Sequence, residues 1–333
     1  MNASNMSFRK GARLAALAAA LTIFGAAAPA MAQTYPDRTV TIVVGSPPGG
    51  GSDLAARLVA SGLQKALGQT FVVENKGGAS GNIANSQVAR VTPDGYTLLL
   101  AYSGYQVVNP SLFPKTLQWD AVKSFAPIAM VMKAPHIIVV KNALPVKSLS
   151  ELIAYAKANP GKLNYASVGQ GSLSHIGGEM FDEQTGVKMM HVPYRGSGPA
   201  VTDLVGGNVD VFINTPQSLV GFLQSGAIRG LAVTSSSRLP MVKDLPTVGE
   251  AGLPGFDLEA WYALYAPAGT PQPIIDKLAA AVKTLVESPD FKATAEQNGA
   301  YAVYMGPKEL ATYQTEELKF WSDVVKKANI TLE

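Results

Sequence analysis

The residues best suited to chemistry lie in "GSPPGGGSD", residues 45–53, between the apolar run "TVTIVV" and the helical pattern "LAARLVASGLQKALG". Strand, glycine loop and helix start together offer unpaired backbone N–H groups, which suits an anion. A triphosphate-binding loop reads G-x-x-x-x-G-K-[ST]; Gly45, Gly50 and Ser52 match, but Gly51 stands where the lysine belongs. A dinucleotide fingerprint needs a third glycine at position 54, which is Leu54. What remains suits the single charge of a carboxylate, held by N–H groups from Gly49 to Asp53, although glycines in a tight turn would read the same way.

Two further stretches repeat the device. "SVGQGSLSH", residues 167–175, adds the hydroxyls of Ser167, Ser172 and Ser174, and "GGASGNI", residues 77–83, adds Ser80 and Asn82. Each follows a predicted strand, and open α/β sheets bind ligands at the carboxyl ends of their strands. Arg195 in "VPYRGSG" also follows a strand, where a guanidinium grips a carboxylate with two hydrogen bonds or serves a structural salt bridge. Asp210 begins a strand, with capping or hinge duty as the rival to ligand contact. Trp261 and Tyr262 either wall a pocket or fill the core.

Catalytic signatures are missing. No G-x-S-x-G occurs, since "GASGN" puts Asn82 where the last glycine belongs. His136, His175 and His191 lie at no metal-ligand spacing, and nothing near the Ser172–His175 pair in sequence orients it as a nucleophile and base. With no cysteine, thiolate chemistry, disulfides and Cys-ligated metals are excluded. No catalytic residue, metal or cofactor is expected.

The elements that must position these loops read as short apolar strands alternating with helical patterns, which argues an α/β fold with largely parallel sheets. Ser52 is the expected N-cap of the first helix and Gly68 its stop; Ser148 and Glu151 form a capping box before "LIAYAKANPG". About 300 residues follow a leader with Arg9, Lys10, Arg13, an alanine-rich apolar run and "AMA" at 30–32, a secretory signal peptide cleaved after Ala32. The 27 Lys plus Arg against 24 Asp plus Glu include those three leader cations. The remaining chain therefore balances at 24 of each and offers nothing basic to nucleic acid. Export without disulfides points to the periplasm.

In "YPDRTVTIVV", "PPGGGSD", "GQTFVVENKGGASGNI", "VARVTPDGYTLLL", "ELIAYAKANPGKLNYASVGQGS", "HVPYRG", "DLVGGNVDVF", "LPTVGEAGLPGF" and "YAPAGTP" the sequence resembles the periplasmic solute-binding proteins of tripartite tricarboxylate transporters, the Bug family. The resemblance implies a type II periplasmic binding fold, two α/β lobes closing like a Venus flytrap on a ligand cleft. Lobe one would hold residues 33–135 and 259–333, lobe two residues 136–258. The implied ligand is a small organic acid, a di- or aromatic carboxylate, partly held through ordered waters. Carried over by position, its contacts are Gly49, Gly50, Ser52 and Asp53; Ala79, Ser80, Gly81 and Asn82; Ser167, Gly169, Gly171 and Ser172; with Arg195 and Asp210. Ser46 departs from the aromatic residue that many relatives carry before "PPGG", and a small side chain there would open the cleft. The implied function is capture by lobe closure and delivery to the membrane subunits of such a transporter, by a monomer. The alternative is a sensor that presents the same ligand to a signalling receptor without transport.

Overall fold

The computed structural model describes residues 35–327 and residue 330. The signal peptide and its Ala32 cleavage point lie outside the described residues. The chain runs β1 (Val40–Val44), α1 (Gly51–Leu67), β2 (Phe71–Asn75), α2 (Asn82–Val88), β3 (Thr97–Tyr102), α3 (Asn109–Leu112) and β4 (Phe125–Pro135). It continues through β5 (Ile137–Lys141), α4 (Leu149–Ala158), β6 (Asn164–Ser167), α5 (Leu173–Thr185), β7 (Met190–Pro193), α6 (Ser197–Gly206), β8 (Val211–Asn214), α7 (Val220–Gln224) and β9 (Ile228–Val233). It closes with β10 (Glu259–Pro267), α8 (Gln272–Glu287), α9 (Pro289–Gln297), β11 (Tyr301–Met305) and α10 (Pro307–Lys327).

Two sheets result, one per lobe. The first has the order β11-β4-β10-β3-β1-β2, the second β7-β6-β8-β5-β9. The pairs β1–β2, β1–β3, β6–β7 and β6–β8 are parallel, as the alternating pattern predicts. The pairs of β10 with β3 and β4, β11 with β4, and β5 with β8 and β9 are antiparallel. The expectation of largely parallel sheets is thus corrected to mixed ones. The physical reason is the route of the chain. It leaves the first sheet along β4, enters the second along β5 and comes back along β10, so each sheet receives strands running against its βαβ units. α8 and α10 then pack against β4 in the first sheet.

Each sheet is buried by its helices. Val40, Ile42, Val43 and Val44 of β1 are fully buried beneath Ala55, Ala56, Val59 and Leu63 of α1. The spacing of those four helix residues is the i, i+1, i+4, i+8 stripe of a core-facing helix. α1 stops at Gly68, whose left-handed φ of 72° lets its N–H reach Gln64 O, a C-terminal cap that favours glycine. In the second sheet Val139, Ala166 and Phe212 pack under Val201 and Leu204 of α6. The Ser148 cap forms: Ser148 Oγ accepts from Glu151 N–H at 3.2 Å, while Glu151 Oε2 accepts from Lys147 N–H at 2.6 Å. No helix among the described residues is long and apolar enough to cross a membrane.

Candidate functional site

A cavity of about 510 Å³ opens between the two lobes. The first lobe contributes Ser46 to Ser52 together with Tyr102, Tyr105 and Tyr262; the second contributes Val168, the run from Arg195 to Pro199, and Asn214, Thr215, Gln217 and Ser218. Apart from Tyr262, which lies inside β10, both contributions come from the carboxyl ends of strands and the turns that follow them.

On the first-lobe side, α1 begins at Gly51 with Gly50 as its N-cap, two residues before the start a Ser52 cap would set. The cause is Asp53. Its Oδ2 accepts from Gly49 N–H at 3.1 Å and from Arg57 Nε at 3.0 Å, and its Oδ1 accepts from the Asn75 amide at 3.0 Å. Burial raises the Asp53 carboxyl, but the Arg57, Gly49 and Asn75 bonds outweigh it and hold the group below the usual carboxylate range. An ionised Asp53 folds the loop and leaves the helix end without a side-chain cap. The first intrahelical bond is Leu54 N–H to Gly50 O, so the N–H groups of Gly51, Ser52 and Asp53 precede it.

The second lobe supplies a matching end. α6 starts at Ser197 after Gly196, an N-cap with φ 118° and no side-chain cap bond. Asn214 holds this start, its amide donating to Ser197 Oγ at 3.0 Å and to Ser218 Oγ at 2.8 Å. Exposed Arg195 lines the same cavity, the only Lys, Arg, His, Asp or Glu among its lining residues. Two uncapped helix N-termini, one per lobe, and one guanidinium make this a positive space in which nothing negative lines the wall.

The tyrosines form the floor. Tyr102 stacks on Tyr262 with centroids 5.8 Å apart and meets Tyr105 edge-on at 5.0 Å. Burial raises all three phenols, Tyr105 to about 12, so they remain protonated donors at neutral pH. Tyr105 lies in a π-helical turn, Gly104–Val108, and its ring presses on Gly81, where a Cβ would overlap it. Ser80 Oγ donates to Gln170 O, and the Tyr262 and Tyr102 phenols lie beside the Thr215 side chain and the Leu173 backbone. Each of these brings one lobe against the other.

Ser46, Gly49, Gly50, Ser52 and Arg195 of the sequence-derived set line the cavity, and Tyr262 of the two candidate aromatics does so too. Trp261 points the other way along β10, its indole N–H donating to Glu317 Oε2 at 3.1 Å. Asp53 folds the loop beside the cavity. Ala79, Ser80, Gly81 and Asn82 form the turn behind it; Ala79 and Ser80 hold φ of 46° and 51°, and the Asn109 amide ties Ser80 O and Asn82 Oδ1 at 2.8 and 3.0 Å. Asp210 lies outside the cavity lining. Its Oδ1 pairs with Lys141 Nζ at 2.7 Å, and it exchanges two backbone–side-chain bonds with Asn164, both at 2.9 Å, at the start of β6.

The loop at 167–172 is closed on itself. Val168 N–H donates to Ser174 Oγ, Gly169 N–H to Ser167 Oγ, Gly171 N–H to His175 Nδ1 and Ser172 N–H to Gly169 O. Ser172 is the N-cap of α5, its Oγ accepting from His175 N–H and donating to Gly169 O at 2.6 Å. Ser167 Oγ and His191 Nε2 lie 2.6 Å apart, and Ser167 is fully buried. Burial lowers His175 and His191 to about 4, with the His175 charge adding to the effect on His191, so both rings are neutral at pH 7. Among the described residues no three His, Cys, Asp or Glu side chains are grouped to hold a metal ion.

Sequence reasoning did not assign Tyr102, Tyr105, Gly196, Ser197, Asn214, Thr215 or Gln217 to the site. A signal existed for two: "RGSGP" after a strand carries the same glycine-then-helix device as "GGGSD".

The family model described as tripartite tricarboxylate transporter family receptor matches residues 55–330. BugT of Bordetella pertussis is 36% identical over 321 residues, covering 96% of this chain and 98% of that protein. A Rhodopseudomonas palustris protein solved with adipate superposes with TM-score 0.86 at 36% identity, over 89% of this chain and 99% of that one. MatC of the same organism, solved with bound malate, gives TM-score 0.82 at 37% identity, over 87% and 100%. The periplasmic binding protein BugD superposes with TM-score 0.84 at 37% identity, over 89% of this chain and 99% of that one, so the fold is that of a periplasmic binding protein. By family model, sequence and fold alike, this chain belongs to the tripartite tricarboxylate transporter receptor family, a family of receptors and not of enzymes.

Proposed function

We propose that the protein is a periplasmic solute-binding protein that closes two lobes on a small organic carboxylate and delivers it to the membrane subunits of a tripartite transporter. The observation that carries this reading is the pair of uncapped helix N-termini, at Gly50 and Gly196, facing one cavity from opposite lobes. A carboxylate lodged there satisfies N–H groups on both sides at once. It therefore binds the closed state more tightly than the open one, which is the differential affinity that closure requires. Adipate and malate in the relatives' structures support the ligand class. Contacts are assigned to Ser46, Gly49, Gly50, Ser52 and Arg195, joined by Ser197, Asn214 and Tyr105.

The lobe division falls at 135/136 and 258/259, where β4 passes to β5 through the single residue His136 and where β10 begins. The chain acts as a monomer, exported with cleavage after Ala32. Thermal-shift and calorimetric titration with mono-, di- and tricarboxylates, aliphatic and aromatic, tests the reading. One class should raise the melting temperature and contract the protein in solution scattering. Absence of binding across all classes would overturn it.

A further inference from the structure

The charge and the free N–H groups of the cavity wall are gathered at one end. Arg195, the only charged residue on the wall, directly precedes the Gly196 N-cap of α6 and so belongs to the end that holds the acid group. Ser218 belongs there too, because the Asn214 amide donates to both Ser197 Oγ and Ser218 Oγ, at 3.0 and 2.8 Å. From these two hydroxyls the wall runs on for one more helical turn along each second-lobe segment. On α6 it reaches Val201 and Thr202; on the segment after β8 it reaches Phe222, whose N–H donates to Leu219 O at 3.0 Å. Four residues of helix rise about 6 Å, so this far wall stands about one turn beyond the acid end. The N–H groups of Val201 and Thr202 lie inside α6, where helix bonds take them, and the Thr202 hydroxyl donates to Gly198 O at 3.1 Å. Phe222 is 40% exposed, which leaves apolar surface for a ligand to cover.

We propose that Phe222 selects a ligand whose end remote from the acid group is apolar, so that this receptor prefers a monocarboxylate with an alkyl or aromatic tail to a dicarboxylate. The proposal rests on the carboxylate reading above and adds the chemistry of the ligand's other end. A second carboxylate beside Phe222 would exchange water for a wall with no cation and no free donor on Val201 or Thr202, which costs affinity. An alkyl chain or a phenyl ring in the same place loses no hydrogen bond and covers the exposed ring, which is favourable. Two uncapped helix ends and Arg195 already serve the one carboxylate that such a ligand carries.

Calorimetry with propionate, hexanoate, 3-phenylpropionate and adipate tests this. Hexanoate and 3-phenylpropionate should each bind about tenfold more tightly than adipate. Phe222→Ala should weaken those two acids about tenfold and leave propionate, which is too short to reach residue 222, within about twofold. Phe222→Arg should bring adipate ahead of hexanoate, because it puts a cation where the second carboxylate falls. Melting temperatures of the unliganded variants should stay near the parent's, since the ring is already partly in water. Adipate binding to the parent within about threefold of hexanoate or tighter, or a Phe222→Ala protein that keeps the parent's hexanoate affinity, overturns the proposal alone. Failure of all four acids to bind, in calorimetry and thermal shift alike, overturns the carboxylate reading as well.

Discussion

His136 and Thr234 are hydrogen-bonded to each other in both directions: His136 N–H donates to Thr234 Oγ1 at 2.8 Å, and Thr234 N–H donates to His136 O at 2.9 Å. Thr234 Oγ1 in turn donates to Leu258 O at 2.7 Å, and the His136 ring Nδ1 lies 3.1 Å from the same carbonyl. His136 is the one residue between β4 and β5, Thr234 follows β9 and Leu258 precedes β10. Two passages of the chain between the sheets are therefore pinned at one buried point. For the lobe closure proposed above, such a node would serve as a fixed pivot that keeps the two helix N-termini in register.

That node titrates. Burial lowers His136 to about 4, the Leu258 carbonyl acting in the other direction. Above pH 6.5 the ring is neutral in both folded and unfolded chains and pH has no effect through it. Between 6.5 and about 4 the unfolded chain binds the proton first, so stability is lost as the pH falls; below that, both states are protonated. His136→Asn keeps a donor near the Nδ1 position and removes the proton site. Its loss of stability across this window should be shallower than that of the parent by up to about 1.4 kcal/mol per pH unit. Urea titrations at pH 7, 6, 5 and 4.5 check it, and parallel curves would remove His136 from the acid response.

Ser172 should matter to stability more than to affinity. Its hydroxyl caps α5 and closes the 167–172 loop, and it is not among the residues lining the cavity. Ser172→Ala should cost about 1 kcal/mol of folding free energy, the usual value of a serine N-cap. Carboxylate affinity should change less than threefold. A larger fall in affinity at unchanged stability would put the hydroxyl on the ligand instead.

Gly51 is constrained by what stands over it. A Cβ there would overlap the Tyr262 hydroxyl and crowd Gln217, although the helical backbone at this position accepts any side chain. Gly51→Ala should therefore displace Tyr262 from its place beside Thr215 of the other lobe. Overpacking of this kind costs about 1–3 kcal/mol, which should appear mainly as weaker ligand binding, since the closed state is the one that needs the contact. Comparing titration calorimetry with apo melting separates the two. Equal losses in both would assign the glycine to folding alone.

The parts of the site that were legible in sequence are those written locally. "VVGSPPGGGSD" announces its own strand end, loop and helix start, and the structure puts Gly49, Gly50 and Ser52 on the cavity as that order of residues requires. "SVGQGSLSH" carries the same letters, but Ser167, Ser174 and His175 capture its N–H groups, a competition that the sequence does not rank. Tyr105 and Gln217 were not legible because their role depends on which glycine each faces, Gly81 and Gly51, across 24 and 166 residues of chain. The antiparallel strands escaped for a related reason. Periodicity shows that β5 and β10 are buried strands, but direction is set by the route between lobes, which no local pattern records.

Ser46 is where the two kinds of information meet. The resemblance in sequence implies an aromatic at this place where the chain has serine, and the Ser46 hydroxyl is buried without a partner in a residue that lines the cavity. If the small side chain leaves space for the ligand, Ser46→Phe should fill it. Affinity should then fall most for bulky or aromatic acids, by the about 1–3 kcal/mol that overpacking costs, and least for small acids such as succinate. The apo melting temperature should hardly change, because the position borders the cavity and lies outside the stripe of Val40, Ile42 and Val44 that packs the first sheet. The unpaired hydroxyl adds a second expectation: its removal takes away an unsatisfied atom, so any stability change in the apo protein should be neutral or favourable. Calorimetric titration of both proteins with succinate and a matched aromatic dicarboxylate measures the selectivity. Equal affinities of parent and variant for both acids would mean that the ring points away from the ligand, and that residue 46 does not set what this receptor accepts.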